Sequence, residues 1–145
     1  MKIENKNISF GISKISTEQF AIIPEAHLNG AKIQIMHEML FGIDKINKII
    51  IMKKLARFQH LESSPFMQIE VACHFNINPN DWDKIKKNDS DGILIPKDFS
   101  LHLGMIVIGV LRGVLHAKTE NSIYNQYPFP TIDVTKLIPE SLSLD

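Results

Sequence analysis

The segment Pro96–Lys118, PKDFSLHLGMIVIGVLRGVLHAK, constrains this chain more than any other, because a run so apolar has to be covered by something larger than a loop. Proline suits the first turn of a helix, where its missing N–H leaves no partner unsatisfied. Apolar residues follow at Phe99, Leu103, Ile106 and Val110, and at Leu101, Met105, Ile108 and Leu115. The spacing predicts a long, largely buried helix. Its uninterrupted apolar stretch, Leu103 to Leu111, ends at Arg112 and is shorter than the roughly 18 residues of a membrane span, so a core helix is expected and membrane insertion is not. Gly104, Gly109 and Gly113 each cost about 1 kcal/mol relative to Ala inside a helix, which implies that another backbone passes close by. That backbone belongs either to the chain's own sheet or to a second copy of the protein.

The covering surface is written in the first half of the chain as alternation of apolar and polar residues. Ile8, Phe10 and Ile12 alternate with Ser9, Gly11 and Ser13, and Phe20, Ile22 and Ile23 follow before Pro24, which reads as one long or interrupted strand. From Lys32 onward, Ile33, Ile35, Met39, Phe41 and Ile43 alternate with Gln34, Met36, Glu38 and Leu40. A third strand, Ile49 to Gln59, has its phase blurred by Lys53 and Lys54, where a bulge is expected. Met67, Ile69, Val71, Cys73, Phe75 and Ile77 then give the cleanest period of two in the chain. The links between these runs are too short for parallel crossovers, so the strands are antiparallel. The expected fold is α+β: a four-stranded antiparallel sheet covered on one face by the long helix, with residues 1–145 as a single domain. Asn78 to Asp91 reads as a polar loop with one helical turn, and Asp133 to Ile138 as the helical part of the proline-rich end.

Charge and motifs exclude more than they assign. Net charge is zero with both signs interspersed, so neither nucleic acid nor an anionic membrane is an expected partner. The polar start MKIENKNISF has no apolar run of the secretory kind, which makes the cytoplasm the expected compartment. Cys73 is the single cysteine, so no internal disulfide or cysteine-rich zinc site exists, and its apolar strand phase places it in the core. No Gly-rich phosphate loop, G-x-S-x-G elbow or H-E-x-x-H is present, so no catalytic residue and no cofactor is assigned, and an enzyme is not expected. The histidines lack the three- or four-residue helical spacing of metal ligands. Starting from Lys87, Asp89, Asp91, Gly92, Leu94 and Asp98 imitate a calcium loop, but a lysine at the first ligand position and Pro96 within the loop argue for a solvated turn instead. Of the aromatic residues, Phe75 and Phe99 go to the core. Trp82, Tyr124, Tyr127 and Phe129 are candidates for an exposed apolar groove, Trp82 because Asp81 and Asp83 flank it and argue against deep burial.

The strand PFMQIEVACHFNI at Pro65 to Ile77, the helix end LRGVLHAKT at Leu111 to Thr119 and PFPTIDVTKLI at Pro128 to Ile138 together resemble the SecB family of protein-export chaperones, in particular its divergent SecB-like members. The resemblance covers nearly the whole chain. It implies dimers that pair through their long helices into tetramers, with Gly104, Gly109 and Gly113 at the assembly interface. It also implies ATP-independent holding of unfolded polypeptides in hydrophobic grooves. Typical SecB proteins place Phe-Pro directly after Arg-Gly and add a longer terminal helix with an acidic tail, whereas here Phe129-Pro130 comes later and the given sequence ends in SLSLD. Their acidic sheet surface docks the motor SecA, whereas the third strand here carries Lys53, Lys54 and Arg57. A narrower client range, as in SecB-like chaperones associated with toxin–antitoxin pairs, is therefore the second reading, with an antitoxin as partner. Two other classes stay open: a small-molecule binding domain with its pocket between sheet and helix, and an enzyme using Glu38, Glu70 or His74.

Overall fold

The computed structural model describes residues 7–145; the polar lead, 1–6, lies outside the described residues. Alternation becomes an antiparallel sheet of β1 (Phe10–Ile22), β2 (Ile33–Asp44), β3 (Ile49–His60) and β4 (Pro65–Ile77) in the spatial order β1-β4-β3-β2. β1 and β2 are thus opposite edges, and the link between them has to cross the ends of β4 and β3. Along β4 the odd residues Met67, Ile69, Val71, Cys73 and Phe75 are fully buried on one face, as their period predicts. Each is paired across β3 with Phe58, Ala56, Lys54, Met52 and Ile50 in turn.

Two details of the strands differ from expectation. β1 is a single strand, and what looks like an interruption is a pair of register shifts against β4, at Ile12/Lys14 and Thr17/Gln19. β3 has no bulge at Lys53 and Lys54; its register with β2 is unbroken from Ile49 to His60, and the strand's alternation simply turns Lys54 inward. The ammonium is accommodated because it finds a partner there, so the backbone does not need to distort.

Downstream, the expected loop contains a seven-residue helix, α1 (Pro79–Ile85), capped by the Asn78 side chain on the Asn80 N–H. Two three-residue strands pair as a small second sheet, β5 (Ile93–Ile95) with β6 (Leu142–Leu144). The long helix, α2 (Lys97–Thr119), begins one residue later than its proline suggests, with Pro96 at the cap position. It lies on β4 and β3 and buries Ser100, Leu103, Gly104, Val107, Ile108, Leu111, Leu115 and Thr119. The buried stripe is therefore narrower than the apolar spacing suggests, and Met105 is 63% exposed. Against the expectation drawn from its uninterrupted apolar stretch, α2 as a whole is long and apolar enough to cross a membrane; 39% of that window is buried, and the buried part faces the sheet. The helical segment expected over Asp133 to Ile138 is a single 3-10 turn, Val134–Lys136.

Candidate functional site

The aromatic residues singled out from sequence do not form one exposed groove. α1 carries Trp82 into the main core cluster, where it is 2% exposed. Its neighbour Asp81 is buried as well, at 7%, and accepts the Ser9 N–H at 2.9 Å; that bond, with Lys84 beside it, holds the Asp81 carboxyl below the usual range. The expectation of an accessible Trp82 is therefore corrected: of its flanking aspartates Asp81 is buried with it, on a hydrogen bond of its own, and Asp83 is exposed, so a neighbouring charge does not keep a helical residue at the surface.

Phe129 and Tyr127 are likewise buried, at 2% and 9%, and only Tyr124 and the pieces between them are half-exposed or open. Phe129 sits against the inner face of the sheet. Its ring meets His37 edge-on at 5.3 Å, with the Lys54 ammonium 5.5 Å and the Arg112 guanidinium 5.7 Å from its centroid. Arg112 also donates to the carbonyls of Phe129 (3.1 Å) and Pro130 (2.6 Å), clamping a segment whose prolines supply few donors of their own. Tyr127 donates or accepts through its hydroxyl at 2.7 Å from Nε2 of His27. These contacts make the C-terminal segment a strap over the β2 side of the sheet. Beside it is a small cleft of about 70 Å³ lined by Arg112, Leu115, His116, Asn125, Tyr127 and Phe129.

Lys54 is the strongest electrostatic feature under the strap. It is 0% exposed and donates to Nδ1 of His37 at 2.7 Å. Loss of hydration brings its pKa down to about 8, against a smaller opposing effect of Glu38. Burial, and then the Lys54 charge, lowers the His37 pKa in turn. Burial raises the Cys73 thiol, which keeps it protonated and unreactive. In the segment that imitates a calcium loop, Asp91 is committed to Lys45 at 2.8 Å and Lys87 to Asp145 at 2.8 Å, and among the described residues no cluster of histidine, cysteine and carboxylate could hold a metal. Every buried side-chain nitrogen and oxygen among the described residues has a hydrogen-bond partner, so no unsatisfied polar group points at an absent small ligand.

The glycines of α2 divide. A Cβ on Gly104 would come within 3.1 Å of Ile138 Cδ1 and 3.4 Å of Val134 Cγ1, so this glycine admits the C-terminal segment of its own chain. Gly109 and Gly113 have nothing within 4 Å of the same position and lie on the exposed side with Met105. Close packing within the chain, against the C-terminal segment rather than the sheet as expected, explains the first glycine and not the other two.

Two further surfaces escaped the sequence reading. On β1, Ile12 and Ile15 are 46% and 52% exposed although their partners across the strand, Phe75 and Cys73, are core residues, while α2 packs on Phe10 of the same strand through Phe99 and His102. On the sheet face away from α2, Met36 and Leu40 stand out at 49% and 41% exposure. There, a cleft of about 350 Å³ opens over Leu40, Gly42, Ile51 and Lys53, and one of about 110 Å³ over Met36, Glu38, Leu55 and Arg57. The same-face pairing Met36–Arg57, Glu38–Leu55, Leu40–Lys53 and Gly42–Ile51 puts the two clefts in line along the strands. A signal existed in the alternating phase of β2, where Met36 and Leu40 are apolar at positions that a solvated face fills with polar residues.

Neither a family model nor a curated protein matches the sequence. The fold does have a likeness among solved structures: the SecB-like chaperone of Mycobacterium tuberculosis, solved in complex with a ChAD peptide from an antitoxin, aligns with a TM-score of 0.53 at 10% identity over 85% of this chain and 90% of that one. The four-stranded antiparallel sheet with its long helix is therefore a SecB-like fold.

Proposed function

We propose that this protein is a polypeptide-binding chaperone of the holdase type, acting in the cytoplasm without ATP and without catalytic turnover. The observation that carries this reading is the apolar track on the open face of a SecB-like sheet. Its two clefts lie four residues apart along β2, or roughly 13 Å at the rise of a strand. An extended chain has the same repeat, so side chains four apart in a client segment match both clefts. Burial of apolar area at about 25 cal/mol per Å² gives affinity without demanding one sequence. Lys53, Arg57, Glu38 and Glu70 flank the track with both signs of charge, which favours clients or an antitoxin segment of mixed charge over docking to SecA.

The same reading makes the protein an oligomer. Gly109, Gly113 and Met105 offer a smooth helix face with nothing against it, and Ile12 and Ile15 leave an apolar edge open; a second copy is the natural cover for both. Light scattering of an aggregating client, with and without this protein and in the absence of nucleotide, tests the function. The expected result is suppression near stoichiometric amounts, weakened about tenfold by Gly42→Phe, which fills the larger cleft where only Ile51 Cβ, at 4.0 Å, is near. No suppression by the wild type would count against the chaperone reading, and full suppression by Gly42→Phe would move the site elsewhere.

A further inference from the structure

The link between the two edge strands hangs on two imidazoles. Past Ile23, whose N–H reaches the Phe66 carbonyl at 2.8 Å, the backbone hydrogen bonds of the link are internal to it: His27 to Pro24 and Ala31 to Leu28. What fixes it to the body, besides His27 with its bond to the Tyr127 hydroxyl and its contact with Phe66, is His60 at the end of β3. The Leu28 N–H donates to Nε2 of His60 at 2.8 Å, and Nδ1 of the same ring lies 3.0 Å from the Lys32 carbonyl. An amide N–H only donates and a carbonyl only accepts, so Nε2 has to be bare and Nδ1 has to carry the hydrogen. The partners dictate a neutral ring in a single tautomer.

That ring is 2% exposed and stacked on Phe66 with centroids 4.9 Å apart. A second proton would arrive on Nε2, opposite the Leu28 N–H, turning an acceptor into a donor where water does not reach to relieve it. Beside the ring lies His27, 5.5 Å away between centroids and itself packed against Phe66, Tyr124 and Tyr127, and Lys32 meets it through its backbone carbonyl. Among the described residues, the histidine–carboxylate pair is His116 with Glu120 on the exposed end of α2, so no carboxylate is in place to stabilise a charged His60. His27 is different in kind. Its 2.7 Å bond to the Tyr127 hydroxyl survives protonation, because the phenol oxygen accepts as readily as it donates.

We propose that His60 is an acid-sensitive latch whose protonation frees residues 24–32 from the end of the sheet and, through His27, loosens Tyr127 and the C-terminal strap. The uncovered surface is apolar, with Phe66 at its centre. This inference stands apart from the chaperone reading, since it concerns what holds the link and not what the protein binds.

The test is by NMR on the full chain. Long-range nitrogen–proton correlation of the imidazoles at pH 7.5 should show His60 with its hydrogen on Nδ1, the less common tautomer. After correction for intrinsic exchange, the Leu28 amide should lose up to about tenfold in protection between pH 7.5 and 5.5, the ceiling for one histidine, while the β4 amides keep theirs. His27→Gln should retain this acid response and His60→Gln should abolish it. If His60→Gln does not fold, the wild-type spectra decide alone. A hydrogen on Nε2 at pH 7.5, or Leu28 protection unchanged at pH 5.5, overturns the proposal.

Discussion

Replacing Lys54 by Met removes an ammonium that the sheet and the strap close off from solvent, and it does so with little change in side-chain volume. In the folded protein the lysine pKa lies near about 8, against an ordinary value of 10.5, and that difference corresponds to roughly 3 kcal/mol held against the charged form. The folded value is the lower one. The unfolded chain therefore binds the proton more tightly, the full penalty applies below about pH 8, and it is relieved as pH rises toward 10.5. Against this stand the Phe129 contact, worth about 0.5–2 kcal/mol, and the bond to His37, worth about 1 kcal/mol. Lys54→Met should then be more stable than the wild type by about 1 kcal/mol at pH 7, in line with the replacement of other buried charges by apolar groups. Urea denaturation followed by circular dichroism at fixed protein concentration measures the difference at pH 7 and at pH 9.5. Over that interval the wild type should gain roughly 2 kcal/mol relative to the variant, all other titrating groups being common to both. Parallel pH dependence of the two proteins would refute the buried, charged state assigned to Lys54.

Val71, fully buried opposite Lys54, should not tolerate Asp, which should cost about 3 kcal/mol or more in chemical denaturation, whereas Gln68→Ala on the other face should cost less than about 1 kcal/mol; equal effects would overturn the register. Gly109→Leu and Gly113→Leu should lower the solution mass by light scattering with native circular dichroism, while Gly104→Leu, which meets Ile138, should destabilise the fold itself. Trp82→Ala should cost about 3–5 kcal/mol, and the wild-type tryptophan emission should resist acrylamide and stay unchanged when a permanently unfolded client binds. A client-dependent shift in that emission would return Trp82 to the binding surface.

Whether a feature could be read from sequence followed from how local its cause is. β4 and the antiparallel sheet were legible because a strand with one buried face repeats every second residue, and the short links left no room for crossovers. Cys73 and Phe75 fell on the correct side by the same rule. The buried face of α2 was misphased because its exposed side is apolar as well: Met105 and Ile106 carry the same local signal as Leu103 and Val107, and only contact with β3 and β4 separates them. Of the candidate groove residues, Trp82, Tyr127 and Phe129 were correctly picked as unusual but wrongly placed, since their burial depends on what a distant part of the chain lays over them. Lys53 and Lys54 are identical in sequence. One meets Glu18 at 3.3 Å on the open face and the other lies buried beside His37 and Phe129, a difference set by strand alternation and by a strap 75 residues downstream. The alternation of residues determined that this chain forms a sheet with one covered face; which polar groups that cover encloses was decided by tertiary contact, because the free energy of a buried charge depends on the partners that the rest of the chain brings to it.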